Sequence, residues 1–146
     1  MPELYVGLMS GTSLDGIDAV LADLGTDRPR LVGHHHQAYT PELRGELLAL
    51  NQPGANELER AALAANEVAR AYATATHALL EKCPEAKPVK TIGCHGQTVR
   101  HRPAAGYTVQ LVNGALLAEL AGIDVVCDFR SRDIAAGGQG APLVPA

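Results

Sequence analysis

The chain has 146 residues, of which 47% are hydrophobic and 19% charged, so it is long and apolar enough to form one globular domain and is not a disordered or low-complexity segment. The formal net charge of −4 argues against a nucleic-acid partner, because phosphate binding needs a basic surface. The N-terminal residues lack the basic region of a secretory signal, and no apolar run reaches the ~18 residues of a membrane span.

The first forty residues predict three short strands separated by turns. Residues 3–9 are an apolar run that ends in a Ser/Gly/Thr loop, and residues 17–24 and 30–39 follow as further strands. The three histidines at 34–36 invite a metal-site interpretation. Successive strand residues point to opposite faces, however, so all three cannot converge on one ion. A solvated edge strand or a chance run is the interpretation we favour.

Two helices are predicted next. Thr40 and Pro41 suit the N-cap and first position of a short helix. Asn56 and Glu59 have the spacing of a capping box, and a long helix should follow them to about Lys82. The residues that recur at helical spacing, and that we predict to face the core, are Leu58, Ala62, Ala65, Val68, Ala69, Tyr72, Thr76 and Leu79.

The last third of the chain predicts strands that alternate with a helix. Residues 91–94, 107–112 and 123–127 have the pattern of strands. Asn113 is placed to cap a helix that Gly122 closes. Three consecutive strands, two helices and then this alternation predict an α/β fold with a mixed sheet and a single domain.

Three polar clusters follow predicted strands, at residues 10–16, 95–98 and 128–133. In open α/β sheets, ligands bind at the carboxyl ends of the strands. The glycines and hydroxyls of the first cluster suit phosphate, which backbone N–H groups can bind, although no lysine follows as in a Walker A loop. Asp15 would repel a bare phosphate and fits better near Mg²⁺, through water. A plain hairpin loop rich in turn formers is the alternative.

The other two clusters offer side chains with either chemical or structural roles. His95 could be a general base or a donor to a substrate oxygen, and Gln97 a neutral hydrogen-bonding partner. A histidine at a strand end is, however, more often structural. Arg130 can bind a carboxylate in bidentate fashion, whereas Arg132 and Asp133 could simply form a surface ion pair.

Three segments together resemble the anhydro-N-acetylmuramic acid kinases, in order and across essentially the whole chain: GLMSGTSLDGIDAVLADL, CHGQTVRHRP and VVCDFRSRDIAAGGQGAPLVPA. This family belongs to the sugar-kinase, actin and chaperone ATPase superfamily. The resemblance therefore implies a ribonuclease H-like α/β domain with a three-strand antiparallel meander, a mixed five-stranded sheet and flanking helices. The run 110–114 departs from the family pattern and leaves the role of that turn open.

The resemblance implies an ATP- and Mg²⁺-dependent reaction of cell-wall recycling. Water opens the 1,6-anhydro bridge of anhydro-N-acetylmuramic acid, and the γ-phosphate passes to the freed O6, giving N-acetylmuramic acid 6-phosphate. The loop on the ATP phosphates is then Gly11, Thr12, Ser13, Leu14, Asp15, Gly16, Ile17 and Asp18, with Asp15 facing the metal through water. The sugar pocket is then lined by His95, Gln97, Arg130 and Asp133, with Arg130 toward the lactyl carboxylate or the ring oxygens.

Members of this family continue well beyond the position of Ala146 into a second domain, which carries further nucleotide contacts and the acid that activates the water. The resemblance thus implies that the general base lies downstream of Ala146 and that none of the acids in residues 1–146 takes that role. It also implies that residues 1–146 are the N-terminal domain of a two-domain kinase and are inactive alone, and it is compatible with a homodimer of the full-length protein.

Two other classes of protein are the alternatives to a kinase. A non-catalytic binding or interaction domain of the same fold is the first, although its loops would not need polar clusters. A glycosidase-like hydrolase is the second, and it is disfavoured because none of the three clusters contains glutamate.

The cysteines bear on the cellular compartment. Cys83, Cys94 and Cys127 are odd in number and far apart, and they form no CxxC pair. We therefore predict reduced thiols in a cytoplasmic protein, without a redox or zinc role.

Overall fold

The structure, a computed structural model, describes residues 1–84 and 88–143. The strands are β1 (Leu4–Met9), β2 (Ile17–Asp23), β3 (Arg30–Gln37), β4 (Val89–Cys94), β5 (Gln97–Arg102), β6 (Tyr107–Leu111) and β7 (Asp124–Val126). The helices are α1 (Pro41–Ala49), α2 (Glu57–Glu81), α3 (Gly114–Ala121) and α4 (Phe129–Ala135), with one 3₁₀ turn at Pro103–Ala105. Within the described ranges, no helix combines the length and apolar character needed to cross a membrane.

A mixed five-stranded sheet in the order β3-β2-β1-β4-β7 forms the centre of the domain. β2 pairs antiparallel with both β1 and β3, whereas β4 runs parallel to β1 and β7 parallel to β4. The α/β class and the mixed five-stranded sheet are thereby confirmed.

The end of the third family-like segment falls on residues 144–146, which lie outside the described residues. Ala146, the position beyond which the resemblance places the general base, is among them. Because the described residues end at position 143, the structure does not test where the general base lies or whether a second domain exists, and both stay predictions.

A separate hairpin of β5 and β6 departs from the predicted element list. The strand predicted at residues 107–112 exists, but it pairs with β5 and not with the central sheet. β5 escaped prediction because it contains three basic residues and only Gln97 and Val99 turn inward as buried residues. The charged run after β7, to which the sequence pattern gave no element, is helical from Phe129, where α4 begins.

Helix α2 covers one face of the sheet, with its buried face formed by Ala64, Val68, Ala69, Tyr72, Ala73, Ala75, Thr76 and Leu79. The predicted inward face is confirmed from Val68 onward but is wrong at Leu58, which is 89% exposed, and at Ala62. A 25-residue helix is about 37 Å long, whereas strands of six to eight residues span roughly 20–26 Å. The first turns of α2 therefore extend beyond the sheet.

The predicted helix caps have different outcomes. Thr40 accepts a hydrogen bond from the Leu43 N–H at 3.2 Å, and Asn113 accepts one from the Leu116 N–H at 3.0 Å, so both caps are confirmed. The capping box is wrong: Asn56 has φ +55°, a left-handed conformation in which its side chain caps no backbone N–H. Its amide nitrogen donates instead to the carboxylate three residues later, at 2.8 Å.

The three histidines lie on β3, which is an edge strand of the sheet as predicted. His34 and His36 share one face and lie 3.3 Å and 3.0 Å from the same Asp18 oxygen, while His35 contacts Lys82 on the other face. This alternation is the expected consequence of strand geometry. Among the described residues, no group of three or more His, Cys, Asp or Glu side chains could hold a metal ion.

Candidate functional site

The three polar clusters meet at one edge of the sheet. β1, β4 and β7 are parallel, so their carboxyl ends point the same way, and the clusters follow directly after them. The connection is also direct, because the His95 N–H donates to the Leu8 carbonyl at 2.9 Å. The structure therefore brings the loop between β1 and β2, the turn between β4 and β5, and the start of α4 to the edge where α/β folds bind ligands.

The loop between β1 and β2 presents an exposed tip on a buried base. Gly11, Thr12, Ser13 and Asp15 are exposed at the tip. The base contains Leu14, Gly16 and Ile17, which are all buried, and a turn closes between the Leu14 N–H and the Gly11 carbonyl at 3.1 Å. An exposed run of glycine and hydroxyl side chains on a fixed base can offer several hydrogen-bond donors to an anionic ligand.

The backbone of this loop is held in two unusual conformations. Leu14 has φ +58° while only 3% exposed, a conformation that costs a non-glycine residue free energy. Gly16 has φ +142°, and a Cβ there would lie 2.3 Å from the Gln37 carbonyl oxygen of the neighbouring strand. The close approach of β3 therefore requires glycine at position 16.

Gln97 lies beneath the loop, not at its surface. The side chain is 1% exposed, and its amide nitrogen donates to the Gly11 carbonyl at 3.0 Å. The Tyr39 hydroxyl donates to its amide oxygen at 3.1 Å, and burial raises the pKa of Tyr39 to about 12, which keeps this donor protonated. Gln97 thus joins the loop to the start of β5, and its contact with a sugar stays a prediction.

His95 and Arg130 form a defined pair across the edge. His95 Nδ1 lies 2.7 Å from the Gly96 carbonyl, which can only accept, so Nδ1 carries the proton. His95 Nε2 is then the acceptor for the Arg130 Nε–H at 2.8 Å. Burial of the ring, and next the charge of Arg130, lower the pKa of His95. The histidine is therefore neutral at pH 7, with its tautomer fixed by two partners.

Asp133 shapes the backbone behind Arg130. Its carboxylate accepts the Gly140 N–H at 2.8 Å, and the Arg130 Nη1 donates to the Gly140 carbonyl at 2.6 Å. No ion pair between Arg132 and Asp133 is present in the described part of the chain, because the Asp133 carboxylate turns toward the following glycine-rich segment. Asp133 supports the position of Arg130 through Gly140, and its contact with substrate stays a prediction.

A cavity of about 330 Å³ opens beside this pair. Its polar lining comes from Asp18, His95 and Arg130, and its apolar lining includes Met9 and Phe129. Asp18, His95 and Arg130 come from the first, second and third family-like segments, so the structure brings one residue of each segment to this cavity. The Asp18 carboxylate is held by the two histidines of β3, and the hydrogen bond from His36 is the largest cause that lowers its pKa.

The loop tip contains the kind of oxygen ligands that Mg²⁺ prefers. Asp15 is an exposed carboxylate next to the hydroxyls of Thr12 and Ser13, and Mg²⁺ binds such hard oxygen ligands. The ion usually takes one or two carboxylates together with water and phosphate oxygens, so it does not need a cluster of protein ligands. The residues present therefore fit a magnesium ion bound jointly with a phosphate group.

Sequence reasoning missed the residues that hold the loop from below. Ser10 is 2% exposed, and its hydroxyl lies 2.7 Å from the Tyr72 hydroxyl and 3.1 Å from the Gly96 carbonyl. Tyr39 supports Gln97 in the same layer. The available signal was weak, since Ser10 begins the first polar cluster and Tyr72 is a polar-tipped ring on a helix face predicted to be buried.

Known proteins that resemble this chain match it over all three family-like segments. A family model described as "Anhydro-N-acetylmuramic acid kinase" matches residues 3–146. Proteins of that name from Thiobacillus denitrificans and Bordetella pertussis are 66% and 62% identical to the chain over 145 and 143 residues. The alignments cover 99% and 97% of this chain, but 39% and 38% of those relatives. The Variovorax paradoxus protein is 58% identical, with 99% of this chain and 40% of the relative covered. The chain thus spans about two fifths of the length of these curated relatives.

Proposed function

The chain belongs to the anhydro-N-acetylmuramic acid kinase family, and from this premise we propose that it is the N-terminal domain of a two-domain kinase of that kind. In the proposed reaction, water opens the 1,6-anhydro bridge of the sugar and the γ-phosphate of ATP is transferred to the freed O6. The products are ADP and N-acetylmuramic acid 6-phosphate. The general base that activates the water is assigned to the second domain, downstream of Ala146.

One observation carries this proposal: a donor-rich loop tip and a cavity with a fixed His–Arg pair share one edge of the sheet. The tip at Gly11–Ser13 offers backbone N–H groups and hydroxyls. The cavity offers the Arg130 guanidinium and the neutral His95. A phosphate donor on the tip and a sugar in the cavity would be neighbours, which is the arrangement that phosphoryl transfer requires.

In this proposal the residues of the site would position the ATP phosphates and the sugar and would stabilise the negative charge of the phosphate group that is transferred. The loop N–H groups and the hydroxyls of Thr12 and Ser13 would donate to phosphate oxygens. Asp15 would hold Mg²⁺ through water, and the ion would supply neutralisation of phosphate charge. Arg130 would orient a carboxylate or the ring oxygens of the sugar. Asp18, on the strand that follows the tip and in the lining of the cavity, would complete the loop on the ATP phosphates.

Location and assembly belong to the same proposal. We place the protein in the bacterial cytoplasm, where ATP is available and where cysteines such as the three in this chain are kept reduced. The small-molecule partners are ATP and an amino sugar, with no nucleic acid or membrane. A homodimer would form in the full-length protein.

The decisive experiment compares two lengths of the protein. ATP-dependent phosphorylation of the anhydro sugar is measured for residues 1–146 and for a form extended to the length of the relatives. We expect turnover by the extended form and none by the short one, because the second domain completes the cleft. Equal rates would refute the two-domain proposal. An inactive extended form would favour the alternative, a non-catalytic binding or interaction domain of the same fold.

The loop assignment has its own test in the extended form. Asp15→Ala should lower Mg²⁺-dependent turnover by roughly a hundredfold, because the loss of a carboxylate that holds the metal through water should remove about 2.7 kcal/mol of charge stabilisation. Asp27→Ala is the matched control, since Asp27 is also an exposed carboxylate in a turn but lies at the other end of β2. Unchanged turnover in Asp15→Ala would show that this carboxylate does not face the metal.

A further inference from the structure

The Gly96 carbonyl oxygen is a shared acceptor between the loop and the cavity. It lies 3.1 Å from the Ser10 hydroxyl, which begins the loop, and 2.7 Å from Nδ1 of His95. A carbonyl oxygen has two lone pairs and accepts only, so both contacts are donations to the same atom. The loop and the histidine that pairs with Arg130 are therefore joined through one peptide group.

The direction of each hydrogen bond follows from the partners. Because the Ser10 hydroxyl donates to Gly96, the Tyr72 hydroxyl is the donor in the 2.7 Å contact with Ser10. Tyr72 is fully buried, and burial raises its pKa, so it retains the proton that it donates. A chain of donations thus runs from helix α2 through Ser10 to the turn between β4 and β5.

The turn at Gly96 packs closely against β6 and is tied to the loop by a further hydrogen bond. Gly96 has φ +77°, and a Cβ there would lie 3.1 Å from the Leu111 carbonyl oxygen of β6. The turn is also held on its other side, where Gln97 donates to the Gly11 carbonyl. Any movement of the loop that changes the Ser10 contact would therefore act on the same carbonyl that fixes the tautomer of His95.

We propose that Ser10 is a positioning residue that couples the loop to the His95–Arg130 pair through the Gly96 carbonyl. This inference rests on the proposed function for its consequence, namely that the phosphate side and the sugar side of the site are linked. The linkage itself is a property of the described residues. Ser10 is too buried to be a ligand of the substrate, so it acts through Gly96 and His95.

The first test needs neither ATP nor sugar. In residues 1–146, NMR exchange of the His95 Nδ1 proton with water is compared between the unchanged chain and Ser10→Ala. Ser10→Ala removes the hydrogen bond that holds the Gly96 carbonyl in place, so the carbonyl should protect the His95 Nδ1 proton less well. We expect exchange to be about three- to tenfold faster in the variant, which is the effect of losing one ordinary hydrogen bond. Thr76→Val is the matched control, because Thr76 is equally buried and donates to the Tyr72 carbonyl at 2.8 Å without touching the turn.

The second test uses the extended enzyme and separates two KM values. Coupling predicts that Ser10→Ala raises the KM for the sugar as well as for ATP, each by roughly three- to tenfold. An effect on ATP alone, together with unchanged His95 exchange, would overturn the proposal and leave the kinase function intact. If Ser10→Ala does not fold, Ser10→Cys keeps nearly the same volume with a weaker donor and should show the same pattern at about twofold. An inactive unchanged enzyme would refute the function, and the exchange measurement would still decide the linkage.

Discussion

The two faces of the five-stranded sheet differ in what covers them. On one face Val6, Ile17, Leu21 and Ile92 are almost completely buried. Helix α2 packs on β2 and β3 on this face, and α3 packs on α2 and β7. On the other face β1 and β4 place Gly7 and Gly93 side by side, in register. Among the described residues, Phe129 of α4 is the helical side chain nearest to Gly93 there. Met9 and Val126 are 41% and 54% exposed.

Because of this difference, the residues that stabilise the fold and the residues that surround the candidate site lie on opposite faces of the sheet. The covered face has the branched aliphatic side chains whose burial stabilises the domain. The open face has glycine at the centre of both β1 and β4, and it leads at its carboxyl edge to the cavity lined by Asp18, His95 and Arg130. Partly exposed residues on the open face can therefore serve binding at less cost to stability than residues of the covered face.

The largest expected contrast is between Ile92→Ala and Val20→Ala. Ile92 is fully buried on the covered face, so its truncation should destabilise the chain by about 2–5 kcal/mol. Val20 lies on the open face and lines the cavity, so its truncation should cost less than about 1 kcal/mol. Urea unfolding of both variants measures the contrast. Equal losses would mean that the open face is as well packed as the covered one.

Glycine substitutions sharpen the same comparison. Gly16→Ala places a Cβ against the Gln37 carbonyl at a positive φ, and we expect a loss of about 1–3 kcal/mol in thermal or urea unfolding. In Gly93→Ala the nearest atom to the new Cβ is the Phe129 ring at 3.7 Å, an ordinary contact. That variant should stay within about 0.5 kcal/mol of the unchanged chain. A large loss in Gly93→Ala would contradict an open face.

The smallest expected effect concerns the edge of the sheet opposite the site. Asp23 accepts the Gly25 and Glu3 N–H groups at 2.9 Å and 3.0 Å, and these bonds, in that order, lower its pKa below the ordinary 3.8. A lowered carboxyl pKa stabilises the fold above pH 3.8, and this stabilisation is lost as the pH falls through the folded-state value. The stability difference between the unchanged chain and Asp23→Asn should therefore shrink between neutral pH and about pH 3. A difference that stays constant with pH would show that the negative charge of Asp23 does not contribute to the stability of the fold.

Much of the fold was predictable from local patterns. Short runs bounded by turn residues, apolar in β1, β2 and β4 and largely polar in β3, identified these four strands, because strand formation there depends on residues that are close in sequence. The caps at Thr40 and Asn113 were predicted for the same reason, since each involves a residue only three positions away. Four elements and two caps of this kind require no knowledge of the tertiary structure.

Other features could not be predicted from local patterns. β5 pairs with β6, which is near in sequence, but its basic residues conceal the strand pattern. The start of α4 follows Asp128 in the left-handed conformation, which a helix-start pattern does not indicate. Leu58 fits the helical period but lies beyond the sheet, so no surface is present to bury it.

The sequence by itself determined the α/β class, the order of most elements, the three polar clusters and the kinase family. Only the tertiary structure decided how the side chains of those clusters are used. Gln97 turns inward to hold the loop, whereas Arg130 reaches 35 positions back along the chain to His95. The physical reason is that a side chain takes the direction in which its hydrogen bonds are satisfied, and at this edge those partners come from different strands and helices.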